Sequence, residues 1–238
     1  MVYFLCRRIS YPDLSRLCSA TGWIMVNKVG GRFCCGNKRV SFSDNDIAIR
    51  WGGMFSVPIK TINTPEATSL AAHKLRSRKK LIEEGVPTPK TWFDIKEAVP
   101  PFIARPSTHS GGRDFFVIHE SRNIGKSGWY FSELIEPKQE YRVYVGSNKV
   151  IGAYRKTFKE GEVRANRRVT GLLWGALIDV SDDIKKVSID ACAALGLETG
   201  AVDVIVGENP MVIEVNTTPT ISNKNTMSMY IDYFKSLL

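Results

Sequence analysis

Between Ala201 and Pro219 the chain reads AVDVIVGENPMVIEVNTTP, two runs rich in Val and Ile on either side of Gly207-Glu208-Asn209-Pro210. Apolar runs flanking a Gly/Asn/Pro turn predict a β-hairpin. Pairing Val206 with Met211 across the turn sets Asp203 opposite Glu214, with Asn216 two residues further on the same face. Like charges facing each other across two strands cost about 0.2–1 kcal/mol, so an otherwise apolar hairpin needs a reason to keep them. A divalent cation supplies one. Two carboxylates and a carboxamide are hard oxygen donors with no thiolate or imidazole among them, a set that suits Mg²⁺ or Mn²⁺ rather than zinc. Mg²⁺ held in this way usually also carries nucleotide phosphates. Taken by itself, the hairpin is also compatible with two acids on a solvated sheet face, since most charged strand residues face water.

The rest of the pattern is mixed α and β. In the first sixty residues WIMVNK, Arg39–Phe42 and IAIRWG predict short strands, with Gly30-Gly31 as a turn. Thr64 then caps a helix with Pro65 at its first position. Leu70, Lys74, Leu75, Arg78, Leu81 and Ile82 recur at helical spacing until Gly85 and Pro87 end it, and GVPTPKTW leads out extended. Pro101–Arg105 and Phe115–Ile118 predict strands joined by a loop of small hydroxyl residues and the pair Gly111-Gly112. Such a loop can lay backbone N–H groups against phosphate oxygens, and Arg105 and Arg113 flank it. Strands follow at Trp129–Ile135, Glu140–Val145 and, after a turn at Gly146 to Lys149, Val150–Lys156. Alternation puts Glu140, Arg142 and Tyr144 on one face, and counting across the turn sets Glu140 opposite Arg155 as a cross-strand ion pair. Glu162–Val169 alternates again, with Arg164, Asn166 and Arg168 on one side. Ser181-Asp182-Asp183 caps a helix with the stripe Ile184, Val187, Ala191, Ala194 and Leu195, stopped by Gly196. A last amphipathic helix runs from Met227 to Leu238, with Met227, Tyr230, Ile231, Phe234 and Leu237 or Leu238 facing inward.

Composition narrows the class. With 238 residues, 43% hydrophobic and 24% charged, the chain is one large domain or two to three small ones sharing a core. The five cysteines are odd in number and form no CxxC, which predicts free thiols in a reducing compartment. Val2–Cys6 is too short for the apolar core of a signal peptide, and no run approaches a membrane span, so a soluble cytoplasmic protein with no membrane partner is expected. A net charge of +9 suits polyanionic partners, whether nucleic acid or a triphosphate with an acidic substrate. The basic residues form no long block, and no zinc-finger or RNP-type motif is present. Of the three histidines, His109 lies in the glycine loop, either as a polar turn residue or as a contact to a phosphate or substrate, while His73 and His119 are read as structural.

In this order the pieces resemble the ATP-grasp superfamily, in the branch that contains ribosomal-protein glutamate ligases and D-alanine:D-alanine ligases. The resemblance covers roughly Asn63 to Ser222. It implies an α+β ATP-grasp fold in which two α+β subdomains, residues 63–135 and 136–238, enclose the nucleotide behind a shortened pre-ATP domain, residues 1–62. AAHKLRSRKKLIEEGVPTPKTW is similar to the family's helix with its first nucleotide lysine, at Lys74. FIARPSTHSGGRDFFVI is similar to the flap over the phosphates, with Gly111 and Gly112 in the loop and Arg105 in place of the family's second lysine; arginine keeps the charge and can bind phosphate bidentately. In FSELIEPKQEYRVYVGSNKVIGAYRK, Glu133, Leu134 and Ile135 match the hinge against adenine, Glu140 the ribose contact, and Arg142 and Arg155 arginines facing the acyl phosphate or the acceptor. EVRANRRVTG matches a segment that would place Arg164 and Asn166 beside the transferred phosphate, although Thr170-Gly171-Leu172 stands where the branch has twin glycines. Asp203, Glu214 and Asn216 match the metal ligands. The implied activity is an ATP- and Mg²⁺-dependent ligase that joins a small-molecule or peptide carboxylate to an amine (or thiol) through an acyl phosphate. Two rivals stand beside it: an ATP-grasp kinase that keeps the ATP site and acts on a small molecule, and a basic nucleic-acid-binding module in which that site is vestigial.

Overall fold

A computed structural model describes residues 1–7, 12–107, 116–120, 128–136, 139–156, 177–221 and 223–238. His109, Gly111, Gly112, Arg164 and Asn166, and the strand expected over 162–169, lie outside the described residues.

Among the described residues three sheets follow one another along the chain. The first has the order β4-β3-β2-β1-β5-β6, from β1 (Val2–Cys6), β2 (Ile24–Val29), β3 (Arg32–Cys35), β4 (Lys38–Arg39), β5 (Ile47–Trp51) and β6 (Lys60–Ile62), with α1 (Pro12–Thr21) crossing from β1 to its parallel neighbour β2. β1 and β5 are buried along their whole length, because a central parallel strand is covered on both faces and so reads as a continuous apolar run. The expected strands at WIMVNK and IAIRWG are β2 and β5, but of Arg39–Phe42 only Arg39 is in a strand. β1, β3 and β6 are too short or too uniformly apolar to show a period. Gly30 and Gly31 turn the chain at φ of 54° and 80°, a region open to glycine at little cost.

The single helix expected from Pro65 to Gly85 is two helices, α2 (Pro65–Ala72) and α3 (Lys74–Glu83). His73 leaves helical geometry at ψ 94°, and its Nδ1 accepts a hydrogen bond from the Arg76 N–H at 3.4 Å. Thr64 caps α2 as expected, accepting from the Ala67 N–H at 3.2 Å. The second sheet has the order β7-β10-β8-β9, from β7 (Thr91–Trp92), β8 (Phe102–Pro106), β9 (Phe116–Ile118) and β10 (Trp129–Glu133).

The third sheet, β12-β11-β13-β14, is antiparallel throughout: β11 (Gln139–Gly146), β12 (Lys149–Lys156), β13 (Thr199–Val206) and β14 (Pro210–Asn216). On one face α4 (Asp182–Ala194) packs Ile184, Val187 and Ala191 onto Val143, Val202, Val204, Val212 and Val215. Ser181 occupies the cap of α4 without a side-chain hydrogen bond, so Asp182 and Asp183 meet the positive end of the helix instead. On the other face α5 (Lys224–Lys235) covers Tyr144, Tyr154 and Ala201 and ties them to the first sheet through Phe4–Phe234 and Trp51–Tyr230 ring contacts at 5.5 and 5.6 Å. α5 begins three residues before the expected Met227, because the Asn223 side chain accepts from the Thr226 N–H at 2.8 Å. Its inward face carries Met229 and Tyr233 beside the expected Tyr230 and Phe234. Beyond α5 this face of the sheet turns from apolar to ionic.

Candidate functional site

The ionic end of that face is built by two hairpins. In β13–β14, Val206 pairs with Pro210, Ile205 with Met211 and Val204 with Val212; the register then shifts, and Asp203 pairs with Glu214, Val202 with Val215 and Ala201 with Asn216. The expected Val206–Met211 anchor is replaced, because the turn is one residue tighter than counted. Ile213 is the extra residue of a β-bulge that makes up the difference. Asp203 therefore faces Glu214 as expected, and the Asn216 side chain donates to Glu214 Oε1 at 3.0 Å.

Neighbouring cations hold the two acids. Arg142 Nε and Nη2 each donate to one Asp203 oxygen at 2.8 Å, a fork-to-fork pair, and Lys156 Nζ lies 3.1 Å from Oδ2. Lys74 Nζ lies 3.2 Å from Glu214 Oε2. Burial by itself raises a carboxyl's pKa, but at Asp203 the Arg142 and Lys156 charges outweigh it, and the group sits below its ordinary range. At Glu214 burial is again outweighed, by Lys74 first and Arg105 second, and the carboxyl sits well below that range. Glu140, 6% exposed and bonded to Lys156, is pushed the other way by its burial. Three carboxylates (Glu140, Asp203, Glu214) thus meet the cations Lys74, Arg105, Arg142 and Lys156, and Arg78 is also near enough to act on Glu214, so among the described residues positive charge is in excess.

The β11–β12 hairpin corrects one expectation. Its turn begins as counted, with Gly146 opposite Lys149 and Val145 opposite Val150, but Tyr144 then pairs with Gly152, so Ile151 is a bulge residue. Glu140 consequently faces Lys156, and Arg155 faces Tyr141 on the opposite, α4 side of the sheet, exposed. Arg155 does not join the cluster, whereas Lys156, 4% exposed, stands at its centre. The sequence carried one signal of this shift: Gly152, since a glycine inside a strand pattern marks a bulge or a close backbone approach.

The remaining positions lie around this cluster. Arg105, on β8 opposite Tyr130, is near enough to Glu214 to act on its charge. Glu133 ends β10; its carboxylate accepts from the Lys90 N–H at 2.6 Å and its own N–H donates to the Lys90 carbonyl at 2.9 Å. Leu134 and Ile135 follow, and a Cβ on Gly207 would lie 3.5 Å from Ile135 Cγ2, which puts this connector against the β13–β14 turn. Among the described residues no three His, Cys, Asp or Glu side chains are grouped to hold a metal. Asp203, Glu214 and Asn216 offer hard oxygens on one face and fit Mg²⁺ once a ligand's phosphate oxygens complete the shell. All five cysteines are free thiols, and burial pushes Cys6, Cys18 and Cys192 up to about 12. Among the described residues no helix is long and apolar enough to cross a membrane.

Residues 130–238 match the family model of the RimK-like ATP-grasp domain. A Vibrio vulnificus protein named "Probable alpha-L-glutamate ligase" is 26% identical over 202 residues, which take in 73% of this chain and 66% of the relative; a Hahella chejuensis protein of the same kind is 26% identical over 204 residues, 74% and 66%. The chain thus spans just under two thirds of the length of these relatives. Among solved structures, a Chryseobacterium gregarium RiPP-associated ATP-grasp ligase in complex with ADP and a leader and core peptide superposes with a TM-score of 0.69 at 14% identity, covering 99% of this chain and 96% of the other. D-alanine–D-alanine ligase from Bacillus anthracis complexed with ATP gives 0.68 at 13%, covering 99% and 97%. The ATP-grasp ligase PsnB complexed with a minimal precursor, Mg and ADP gives 0.63 at 16%, covering 95% and 91%. This chain has the ATP-grasp fold, and its residues 130–238 are similar to the RimK-like ATP-grasp domain.

Proposed function

We propose that the chain is an ATP-dependent ligase joining a carboxylate to an amine through an acyl phosphate, with Mg-ATP enclosed between residues 63–135 and 136–238 behind a shortened domain of residues 1–62. The observation that carries this is the opposed pair Asp203 and Glu214, kept ionised by neighbouring cations that outnumber the acids. A carboxylate is too poor an electrophile for an amine at neutral pH. Transfer of the γ-phosphoryl group to a carboxylate oxygen releases ADP; the amine then attacks the acyl carbon, the C–O bond to phosphate breaks, and inorganic phosphate and a proton leave.

In this scheme Asp203, Glu214 and Asn216 hold Mg²⁺, for which Mn²⁺ is a chemical substitute. Bound there, the metal supplies charge neutralisation for the moving phosphoryl group. Lys74 and Arg105 bind phosphate oxygens, and Gly111 and Gly112 close over them. Glu133, Leu134 and Ile135 line the adenine and Glu140 the ribose. Arg142 and Lys156 sit on either side of Asp203 and hold its carboxylate fixed, and Arg164 and Asn166 steady the acyl phosphate. Relatives named for α-L-glutamate and for leader and core peptides support an amino acid or peptide as carboxylate and amine partners.

The test is an ADP-release screen over amino acids and peptides with ATP and Mg²⁺, followed by mass spectrometry. The expected product is an amide, heavier than one substrate by the other less water. A stable phosphate ester, or full turnover by Asp203→Asn or Glu214→Gln, would overturn the proposal.

A further inference from the structure

The β14 bulge that turns Glu214 toward Asp203 is gripped from outside its own hairpin. Arg78, on α3, is 4% exposed, and its guanidinium donates to the Val212 carbonyl at 3.0 Å and the Ile213 carbonyl at 2.6 Å. These flank the point where the register shifts. A bulge leaves the extra residue's backbone outside the ladder, and a buried carbonyl without a donor costs about 1–3 kcal/mol. Arg78 supplies donors to both. The Val212 N–H, in turn, donates to the Pro87 carbonyl at 2.8 Å, so the connector after α3 holds the same residue.

Without the bulge, the pairs from Val206–Pro210 to Val204–Val212 would continue as Asp203–Ile213 and Val202–Glu214. Glu214 would then point with Val202 into the apolar layer beneath α4, and Asn216 with it. The bulge alone brings both onto the Asp203 face. α3 also presents Lys74, four residues before Arg78 and so on the same side of the helix, to the Glu214 carboxylate at 3.2 Å. One helix face therefore grips β14 twice, at the backbone that sets the register and at the side chain the register delivers.

We infer that Arg78 is a positioning residue for the metal site: it holds the β14 bulge and thereby the placement of Glu214 and Asn216 opposite Asp203. It touches no reacting atom. The metal role rests on the function proposed above; the register role does not.

The test compares full-length wild type, Arg78→Met and Arg78→Lys. NMR reads the cross-strand backbone contact between Asp203 and Glu214, and calorimetry reads ADP affinity with Mg²⁺ and in EDTA. In Arg78→Met the contact is lost, and the gain in ADP affinity that Mg²⁺ brings falls about ten- to a hundredfold, the usual cost of removing a group that orients metal ligands. ADP affinity in EDTA stays within about twofold of wild type, since the phosphate cations remain. Arg78→Lys, which keeps one donor, falls between. A retained contact with an undiminished Mg²⁺ gain overturns the inference, and so does an equal loss with and without metal, which marks general loosening. Should Arg78→Met fail to fold, Arg78→Lys decides by the same measurements. If wild type itself shows no Mg²⁺-dependent gain, the proposed function falls and the NMR contact alone decides the role of Arg78.

Discussion

The hairpins β11–β12 and β13–β14 lie side by side in one sheet, and each carries one extra residue in its returning strand. They differ in what makes room for it. In β14, the buried guanidinium of Arg78 takes up the carbonyls at the bulge. In β12, α5 presses on the strand so closely that a Cβ on Gly152 would lie 2.6 Å from Met229 Sδ. Straight counting across the turn gave the right facing pair in β13–β14, because a tighter turn and a bulge cancel. It gave the wrong one in β11–β12, where the turn matches the count and the bulge stands alone. Which side chain enters a sheet-borne site is thus set by the parity of turn plus bulge, and bulges are fixed by what packs on the strand.

The sharpest way to break the comparison is to remove the group on which both hairpins converge. Asp203→Ala leaves Arg142 and Lys156 without their shared carboxylate; it should abolish ADP release and lower unfolding free energy by about 3–5 kcal/mol, read by denaturant titration. Next comes the pair that separates the two possible registers of β12. Lys156→Met should cost about 3 kcal/mol, because it strands buried Glu140 while Arg142 still holds Asp203. If Arg155→Met is the more damaging of the two, the bulge at Ile151 is wrong.

Close approach in the β11–β12 hairpin predicts that Gly146→Ala, whose Cβ would lie 2.5 Å from the Tyr233 ring, destabilises by about 1–3 kcal/mol in thermal melts. In β13–β14 the acid limb is diagnostic. The Glu214 carboxyl is held well below its unfolded value of about 4.3, so its stabilising contribution is complete above that pH and is lost as pH falls through the folded value. Thermal melts from pH 7 to 2.5 should show a shallower acid-side loss in Glu214→Gln than in wild type. The smallest effect belongs to Arg155→Met: exposed and off the cluster, it should change stability by no more than about 0.5 kcal/mol.

Much of the architecture could be seen in residue order. The Thr64-Pro65 cap, Gly85 as a stop, and the stripe Ile184, Val187 and Ala191 announce their elements through local chemistry that needs no partner. Asp203, Glu214 and Asn216 stood out because acids inside an apolar hairpin are an anomaly that any register of the right parity brings together. Lys156 did not stand out, since a lysine ending a strand is ordinary until Glu140 and Asp203 are seen to close over it. Nor did His73, which splits a helix whose apolar spacing runs on through the break.

What the sequence determined on its own is most of the elements after Asn63 and the oxygen-donor chemistry of the last hairpin, because capping, turn residues and side-chain period act over a few residues. Only the tertiary structure decided which of Arg155 and Lys156 faces the acids, and that Arg78 and Lys74 from one helix reach across to β14. Those outcomes depend on bulges, and each bulge of this sheet lies against a distant helix that supplies the hydrogen bonds or the packing at that point.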